Sequence, residues 1–219
     1  MKFGRLCWLE LKNVPRLPIV VLAAVVGYVY SQSPLDALVG TSSPPAAVSR
    51  LYLFLVMLGA AYMASFFVGS NVVLKAKMND VYDRLFTFPV APWKLFLSKV
   101  APTAAISFVT AAVVGGLFYL RMETVSPSYF LLLAGVSLVF AVGLTSASVA
   151  LLLLLDTPRL ATFGTIAILI ALFRLPAFVL DLGVDPDSVM AVVFAAVVAI
   201  SVASVALLTR VDSERILLS

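Results

Sequence analysis

Long apolar runs alternate with short charged segments along this chain. Each run has about the 20 residues that a helix needs to cross a bilayer core of ~30 Å, at ~1.5 Å rise per residue. The pattern therefore predicts a set of membrane-spanning helices rather than a soluble core. The clearest runs are Leu51–Leu74, Val100–Leu120, Tyr129–Leu155, Leu160–Leu180 and Val189–Thr209.

An earlier and shorter apolar stretch, Leu17–Tyr30, has the length of the apolar part of a signal peptide. However, residues 1–16 precede it, and Tyr28–Ser31 does not offer the usual small residues of a cleavage site. We therefore expect a retained first span that continues to residue 38. The six predicted spans are approximately 17–38, 51–74, 100–120, 129–155, 160–180 and 189–209.

Residues 1–16 show the spacing of an amphipathic helix. Apolar side chains recur at intervals of three and four, and Lys2, Arg5 and Lys12 lie outside that stripe. Such a helix would lie in the headgroup layer with its basic side toward anionic lipid. The alternative is a frayed basic N-terminus that only sets the topology. The apolar stripe consists of Phe3, Leu6, Cys7, Leu11 and Val14.

Composition narrows the class of protein. Hydrophobic residues make up 63% of the 219 positions, which is more than one soluble core can bury. The chain has no histidine, which excludes the usual zinc sites and histidine-based catalytic triads, and we expect no metal site. Cys7 is the only cysteine, so it forms no disulfide within the chain. The predicted fold is all-α, a polytopic membrane protein in a single domain.

The distribution of charge predicts the orientation of the spans. The net charge is +4, and with a cytoplasmic N-terminus every lysine and arginine lies inside except Arg50, Arg121 and Arg174. The positive-inside rule favours this orientation, which places both termini in the cytoplasm. The basic residues therefore indicate orientation in the lipid bilayer of the cell (plasma) membrane, and we expect no nucleic-acid partner.

Polar residues within the predicted spans are mostly small. Small side chains let transmembrane helices approach closely, and hydroxyls bond across helices or back to the backbone, so packing is the expected role and substrate contact the alternative. No acidic residue lies in the middle of a well-defined span, which argues against a carrier driven by protons or ions. These small polar residues include Ser65, Thr103, Ser107, Gly143, Thr145, Ser146 and Ser201.

Arg174 is the one basic residue inside a predicted span, near the outer end of the fifth. A charge at mid-helix costs about 2.5–3.5 kcal/mol on the insertion scale, and this cost falls near the boundary. Arg174 is therefore either a snorkelling residue that Asp181 can pair with, or part of the outer mouth of a pathway.

The inner loop Lys75–Lys99 is much longer than a connection between two spans requires. Asn79 is suited to cap a short helix, with Asp80 and Asp83 in its first turns where acids favour the helix dipole. A second amphipathic piece, Pro92–Lys99, is expected to continue directly into the third span. A short cytoplasmic helix with charged and aromatic residues is typical of a docking element.

The residues of this loop resemble the loop between spans two and three of type-2 ABC exporter permeases, the ABC-2-like class. The shared order is an acid–arginine pair, apolar residues, Pro-Val, and an aromatic–basic pair, then a lysine at the mouth of a span. The charged tail over 210–218 and the N-terminal helix resemble that family as well. In this chain the order is Asp83-Arg84, Leu85-Phe86-Thr87-Phe88, Pro89-Val90-Ala91-Pro92-Trp93-Lys94 and Lys99.

The resemblance implies a half-transporter. Two permease copies pair as a homodimer, and each inner loop seats in a groove of a separate ABC ATP-binding subunit, present in two copies. On this reading the loop carries a cytoplasmic coupling helix in which Asp83 and Arg84 make polar contacts with that subunit. Tyr82 and Phe86 would fill its groove. The implied docking residues are Asn79, Asp80, Tyr82, Asp83, Arg84, Leu85 and Phe86.

We expect ATP to be bound and hydrolysed by the ATP-binding subunit. The phosphate-binding sequence G-x-x-x-x-G-K-[ST] does not occur in the chain, so we expect no catalytic residue and no cofactor here, with ATP and Mg²⁺ bound by the ATP-binding subunit. The resemblance also implies a pathway between the two permease copies. Tyr28, Tyr62, Phe66 and Asn71 are candidate lining residues, with packing as the alternative for each. Few charges in the spans favour an apolar or amphiphilic cargo, and the resemblance favours export.

Three other classes stay open at this point. A substrate-capture membrane subunit of a vitamin-type importer would also lack an ATPase motif, but it would not need the long inner loop. A non-transporting membrane scaffold is the second. A membrane enzyme is the third, and it would need the H-E-x-x-H motif, an activating histidine or paired intramembrane acids, none of which the sequence contains. Copurification with an ATP-binding subunit would separate the transporter from the others.

Overall fold

A computed structural model of the chain describes residues 46–78, 92–122, 125–154 and 183–209, together with Gly4, Cys7, Trp8 and Lys12. Within these residues the fold is entirely helical, as expected, and contains no strand. The spans predicted over 17–38 and 160–180 lie outside the described residues. The long helices are α1 (Ala46–Met78), α2 (Pro92–Tyr119), α3 (Pro127–Leu154) and α4 (Pro186–Thr209).

Each of the four helices contains a segment long and apolar enough to cross a membrane. The four spans predicted in this part of the chain are therefore confirmed as helices of spanning length. The spanning segments are Ala46–Val68, Phe96–Tyr119, Pro127–Ala150 and Pro186–Ala206.

Proline marks the starts of the helices. Pro92, Pro127 and Pro186 are the first residues of α2, α3 and α4. Proline suits the first helical position because its fixed φ is compatible with the helix and its missing N–H would have no partner there. Ser126 precedes Pro127, and its hydroxyl accepts a hydrogen bond from the Tyr129 N–H at 3.4 Å, which caps α3.

The start of α4 is fixed by a glycine turn and an aspartate cap. Gly183 has φ of 64°, a left-handed conformation that glycine adopts without a Cβ penalty. The carboxylate of Asp185 then accepts hydrogen bonds from the Ser188 hydroxyl at 2.8 Å and the Ser188 N–H at 3.0 Å. These two bonds hold the pKa of Asp185 below its usual value, and the bond from the Ser188 hydroxyl contributes more than the bond from the N–H.

α1 is longer than the apolar run that predicted it. The helix has 33 residues, about 50 Å at 1.5 Å per residue, and it begins at Ala46 rather than Leu51. The predicted second span began at residue 51, so the helical conformation of 46–50 was not expected. Val48 and Ser49 are buried there, and this packing favours helix beyond the strictly apolar run.

Three helices run in one direction and one runs against them. Near the start of α1, Arg50 lies 3.7 Å from Asp187 in the first turn of α4, and 5.8 Å from the centre of the Tyr129 ring at the start of α3. Tyr52, also near the start of α1, packs edge-on against Phe118 near the end of α2, with ring centroids 6.1 Å apart. We call this side of the bundle the Arg50 end.

The parallel direction of α3 and α4 bears on the predicted topology. Consecutive spans alternate in direction, so two successive described helices are parallel only when an odd number of crossings separates them. The six-span prediction has one such crossing between α3 and α4, over residues 160–180. The observed direction agrees with it, and the fifth span itself stays a prediction.

α1 is the central helix of the bundle, and α4 is peripheral. In the apolar stretch of 18 residues within α1, 89% of the residues are buried, against 17% in that of α4. α1 packs along α2 and α3, whereas α4 packs mainly on α3. The buried apolar cluster between them includes Tyr52, Met57, Phe118, Leu133, Phe140 and Val197.

Large apolar side chains cover the outside of the bundle. On α2 they recur at helical spacing, at Val109, Val113 and Leu117, which are 46–55% exposed, and Leu120 directly after the helix is 80% exposed. A continuous apolar outer surface of this kind is unfavourable in water and is favourable against lipid tails. The four helices therefore form a membrane-embedded bundle.

Candidate functional site

The predicted docking segment connects the ends of α1 and α2 that lie opposite the Arg50 end. α1 ends at Met78 and α2 begins at Pro92. The continuation of Pro92–Lys99 into the third span is confirmed, because α2 is one helix over that stretch. The long loop Lys75–Lys99 is corrected at both ends, since residues 75–78 belong to α1 and 92–99 to α2.

α1 and α2 both extend beyond the apolar runs that predicted them toward this connection. The run of α1 ends at Leu74, and the helix continues to Met78. α2 begins at Pro92, before its apolar run starts at Val100. A pair of antiparallel helices therefore holds both ends of the segment 79–91. The docking residues that the sequence predicts lie inside that segment, outside the described residues: Asn79, Asp80, Tyr82, Asp83, Arg84, Leu85 and Phe86.

A chain of buried hydroxyl groups joins α1, α2 and α3 between the Arg50 end and this connection. Thr145 on α3 donates to the Ser65 hydroxyl on α1 at 3.2 Å. Ser65 donates to the Ser107 hydroxyl on α2 at 2.9 Å, and Ser107 donates to the Thr103 carbonyl at 2.8 Å. We call these four residues the hydroxyl chain. Each is at most 1% exposed, so every one of these bonds is shielded from competing solvent.

The hydroxyl chain is continued along α2 toward the docking segment. The Thr103 hydroxyl donates to the Lys99 carbonyl at 3.0 Å. Beside it, Pro102 lacks the N–H that would have bonded to the carbonyl of Ser98. Transmembrane helices tolerate such a proline where neighbouring side chains support the backbone. Lys99, predicted at the mouth of the span, is itself 3% exposed and lies within the helix bundle.

At the Arg50 end, four residues from three helices form a second polar cluster. Arg50 lies 3.7 Å from the Asp187 carboxylate, and its guanidinium lies over the ring of Tyr129. The Tyr129 hydroxyl donates to the Met190 sulfur at 2.9 Å. We call Arg50, Tyr129, Asp187 and Met190 the clasp. It joins the first turns of α1, α3 and α4.

α3 and α4 approach each other closely at Gly143. A Cβ at this position would overlap both the backbone and the side chain of Ser201 on α4. Ser201 is 5% exposed, and its hydroxyl has no hydrogen-bond partner. The two helices therefore meet here through van der Waals contact between small residues.

Two of the four predicted pathway residues have described side chains. Tyr62 is 6% exposed and belongs to the buried apolar cluster. Phe66 is half-buried and packs edge-on against Phe67, with ring centroids 6.1 Å apart. Asn71 lies in α1, within the apolar run Leu51–Leu74. Tyr62 therefore lies in the packed core. The role of the predicted residues in lining a pathway stays a prediction.

The other predicted site residues lie outside the described part of the chain. These are Tyr28 in the first span, and Arg174 and Asp181 at the expected outer mouth. In the predicted interfacial helix, Gly4, Cys7, Trp8 and Lys12 are helical, and the Lys12 ammonium lies 4.2 Å from the centre of the Trp8 ring. The interfacial helix over 1–16 stays a prediction.

Sequence reasoning missed the clasp. Arg50 and Asp187 were assigned to the outer side without being paired, although the opposite charges at the starts of two spans were a usable signal. The expectation that small hydroxyls bond across helices or back to the backbone is confirmed: Ser65 bonds to Ser107, and Ser146 to the Val142 carbonyl at 2.8 Å.

The fold and its apolar surface define a multi-pass helical membrane protein. The family model of the ABC-2 type transporter matches residues 16–184, which include the docking segment and most of the predicted spans. The chain therefore belongs to the ABC-2 type transporter family and is a membrane permease of an ABC transporter, a transport protein rather than an ATPase. Permeases of this family normally work with an ATP-binding subunit. No curated protein and no solved structure matches the chain significantly.

Proposed function

We propose that this chain is the permease subunit of an ATP-driven exporter, coupled through the segment 79–91 to a separate ATP-binding subunit. The observation that carries the proposal is the antiparallel pair of α1 and α2, which extends past its apolar runs and holds both ends of that segment. Movement of a subunit bound there would be delivered directly to two membrane helices.

The coupling residues are those implied by the family resemblance. Asp83 and Arg84 contact polar groups of the ATP-binding subunit, while Tyr82 and Phe86 fill an apolar groove. ATP and Mg²⁺ bind to that subunit, and this chain holds no cofactor. Two permease copies form a homodimer with two ATP-binding subunits in the cell membrane. Both termini and the segment 79–91 face the cytoplasm, and the Arg50 end faces outward.

The cargo is apolar or amphiphilic. The spanning segments are overwhelmingly apolar, and the buried polar groups within them are small hydroxyls rather than charges, apart from Lys99 near one boundary. A pathway lined by such helices favours a lipid-like or amphiphilic molecule over an inorganic ion, because a desolvated charge would find few compensating groups.

Copurification with an ATP-binding subunit that is encoded in the same genome tests the docking assignment. The variant Asp83→Lys with Arg84→Glu reverses both charges in the docking segment. We expect it to insert into the membrane and to lose the partner in detergent pull-downs. The matched control is Arg50→Glu with Asp187→Lys, which exchanges the same kinds of charge at the opposite end and should retain the partner.

Two results would contradict the proposal. If the docking variant binds the ATP-binding subunit with wild-type affinity, the segment 79–91 does not carry the contact. If the wild-type chain binds no ATP-binding subunit, the substrate-capture and scaffold alternatives become the better readings.

A further inference from the structure

The four described helices are held together by two different kinds of contact. α1, α2 and α3 share the hydroxyl chain, in which Thr145, Ser65 and Ser107 each donate to the next group. Every member is at most 1% exposed. Separating any of these helices would leave a hydroxyl without a partner in an apolar interior, which is costly because neither water nor lipid tails can replace the bond there.

α4 is joined to this block by apolar packing, by the Tyr129–Met190 hydrogen bond and by an ion pair. At its start, the Arg50–Asp187 pair spans 3.7 Å between side chains that are 36% and 52% exposed, so solvent and salt compete with it. At mid-helix the contact is Gly143 against Ser201, where the buried Ser201 hydroxyl lacks a partner. The Ser201 hydroxyl therefore has no hydrogen bond to break at this contact when one helix moves along the other.

We propose that α1, α2 and α3 form one rigid body, and that α4 moves against it when the clasp opens. The Arg50–Asp187 pair sets the balance between the arrangements with the clasp closed and open. α4 moves along α3 at the contact between Gly143 and Ser201. The movement is a property of this chain alone. Only its use in the transport cycle rests on the proposed function.

Distances between nitroxide spin labels on the full-length chain in lipid nanodiscs, without any ATP-binding subunit, test the proposal. The background carries Cys7→Ser, which removes the only native thiol. Labels on Val113→Cys in α2 and Leu138→Cys in α3 measure a distance within the rigid body. Labels on Val113→Cys and on Val202→Cys in α4 measure the distance between the rigid body and α4. All three positions are exposed, so labels are accommodated without disturbing the core.

We expect a single narrow distance distribution for the α2–α3 pair and two populations for the α2–α4 pair. Arg50→Gln should change the ratio of those two populations by about 1.4- to 5-fold, the range given by an exposed ion pair. The exchanged pair Arg50→Asp with Asp187→Arg should restore the wild-type ratio. That variant also guards against misreading a folding defect, because it keeps opposite charges at both positions.

The proposal is overturned if the α2–α4 distribution is as narrow as the α2–α3 distribution and Arg50→Gln leaves it unchanged. A broad α2–α3 distribution would equally overturn it, because the first three helices would then not be one body. Neither result depends on whether the chain binds an ATP-binding subunit, so failure here is distinguishable from failure of the proposed function.

Discussion

Gly115 on α2 faces the side chain of Met57 on α1, and a Cβ at Gly115 would lie 2.5 Å from the Met57 Cγ and 2.8 Å from its sulfur. The absence of a side chain therefore sets how closely α1 and α2 approach. This contact lies between the Arg50 end and the hydroxyl chain, on the pair of helices that holds the docking segment.

The first prediction follows from this contact. Gly115→Ala should destabilise the protein by about 1–3 kcal/mol, because the new methyl group overpacks a filled interface. The measurement is the free energy of unfolding in mixed micelles titrated with SDS. Gly116→Ala is the matched control, because a Cβ there meets nothing within 4 Å. Equal losses for the two glycines would contradict the close approach.

A double variant sharpens this test. Met57→Ala removes the atoms that a Cβ at Gly115 would contact, at the cost of a cavity. In that background Gly115→Ala should cost less than it does in the wild type. Strictly additive effects would show that the two residues do not touch.

The second prediction concerns the hydroxyl chain. Ser65→Ala removes the acceptor of Thr145 and the donor to Ser107, so it should cost about 1–3 kcal/mol in the same unfolding measurement. Ser137→Ala is the control: Ser137 is equally buried, but its hydroxyl donates only to the Ala134 carbonyl of its own helix. We expect a smaller loss there, because the carbonyl keeps its helical bond. If Ser65→Ala lowers the free energy of unfolding no more than Ser137→Ala does, the bonds of Ser65 to the other helices do not stabilise the fold.

The third prediction concerns the clasp. A double-mutant cycle of Arg50→Gln and Asp187→Asn should give a coupling energy of about 0.2–1 kcal/mol at low salt, as is usual for an exposed pair. The coupling should decrease as the salt concentration rises, because solvent ions screen exposed charges. The control cycle pairs Arg50→Gln with Asp185→Asn, whose carboxylate bonds to Ser188 instead. A salt-independent coupling, or equal coupling in both cycles, would argue against a direct contact.

The fourth prediction concerns pH and the start of α4. The Ser188 hydroxyl and N–H favour the ionised form of Asp185, so its folded pKa lies below its unfolded value. The stabilisation it provides is therefore fully present above the unfolded pKa of about 3.9 and is lost as pH falls through the lower folded pKa. Ser188→Ala should raise the pKa of Asp185 in a carboxyl NMR titration. No movement of the titration midpoint would exclude the hydroxyl as the cause.

Much of the fold was predictable from local sequence. Apolar runs of spanning length located all four described helices, since exclusion from water requires the length and composition that the runs display. Helix ends were less predictable. α1 extends past its apolar run at both ends because backbone hydrogen bonding continues wherever residues permit it, whereas the run marks only the part that suits lipid.

The site was predictable in part. The inner segment was recognisable as a candidate docking element from its length, its charged and aromatic residues and its resemblance to a family. The family itself is confirmed, and the docking role stays a prediction. The partners of individual residues were not predictable. The opposite charges of Arg50 and Asp187 were a signal, but their contact depends on two helices that begin at the same end of the bundle.

The sequence by itself determined that the chain is a helical membrane protein and where the four described helices of spanning length lie. Those properties follow from the transfer of apolar residues out of water, which acts on each segment separately. Only the tertiary structure decided that Ser65 bonds to Ser107, that Gly143 meets Ser201 and that Arg50 meets Asp187. In lipid, helices that are apolar on all sides carry no strong signal for which face turns inward, so rotation and depth are set by how neighbouring helices pack.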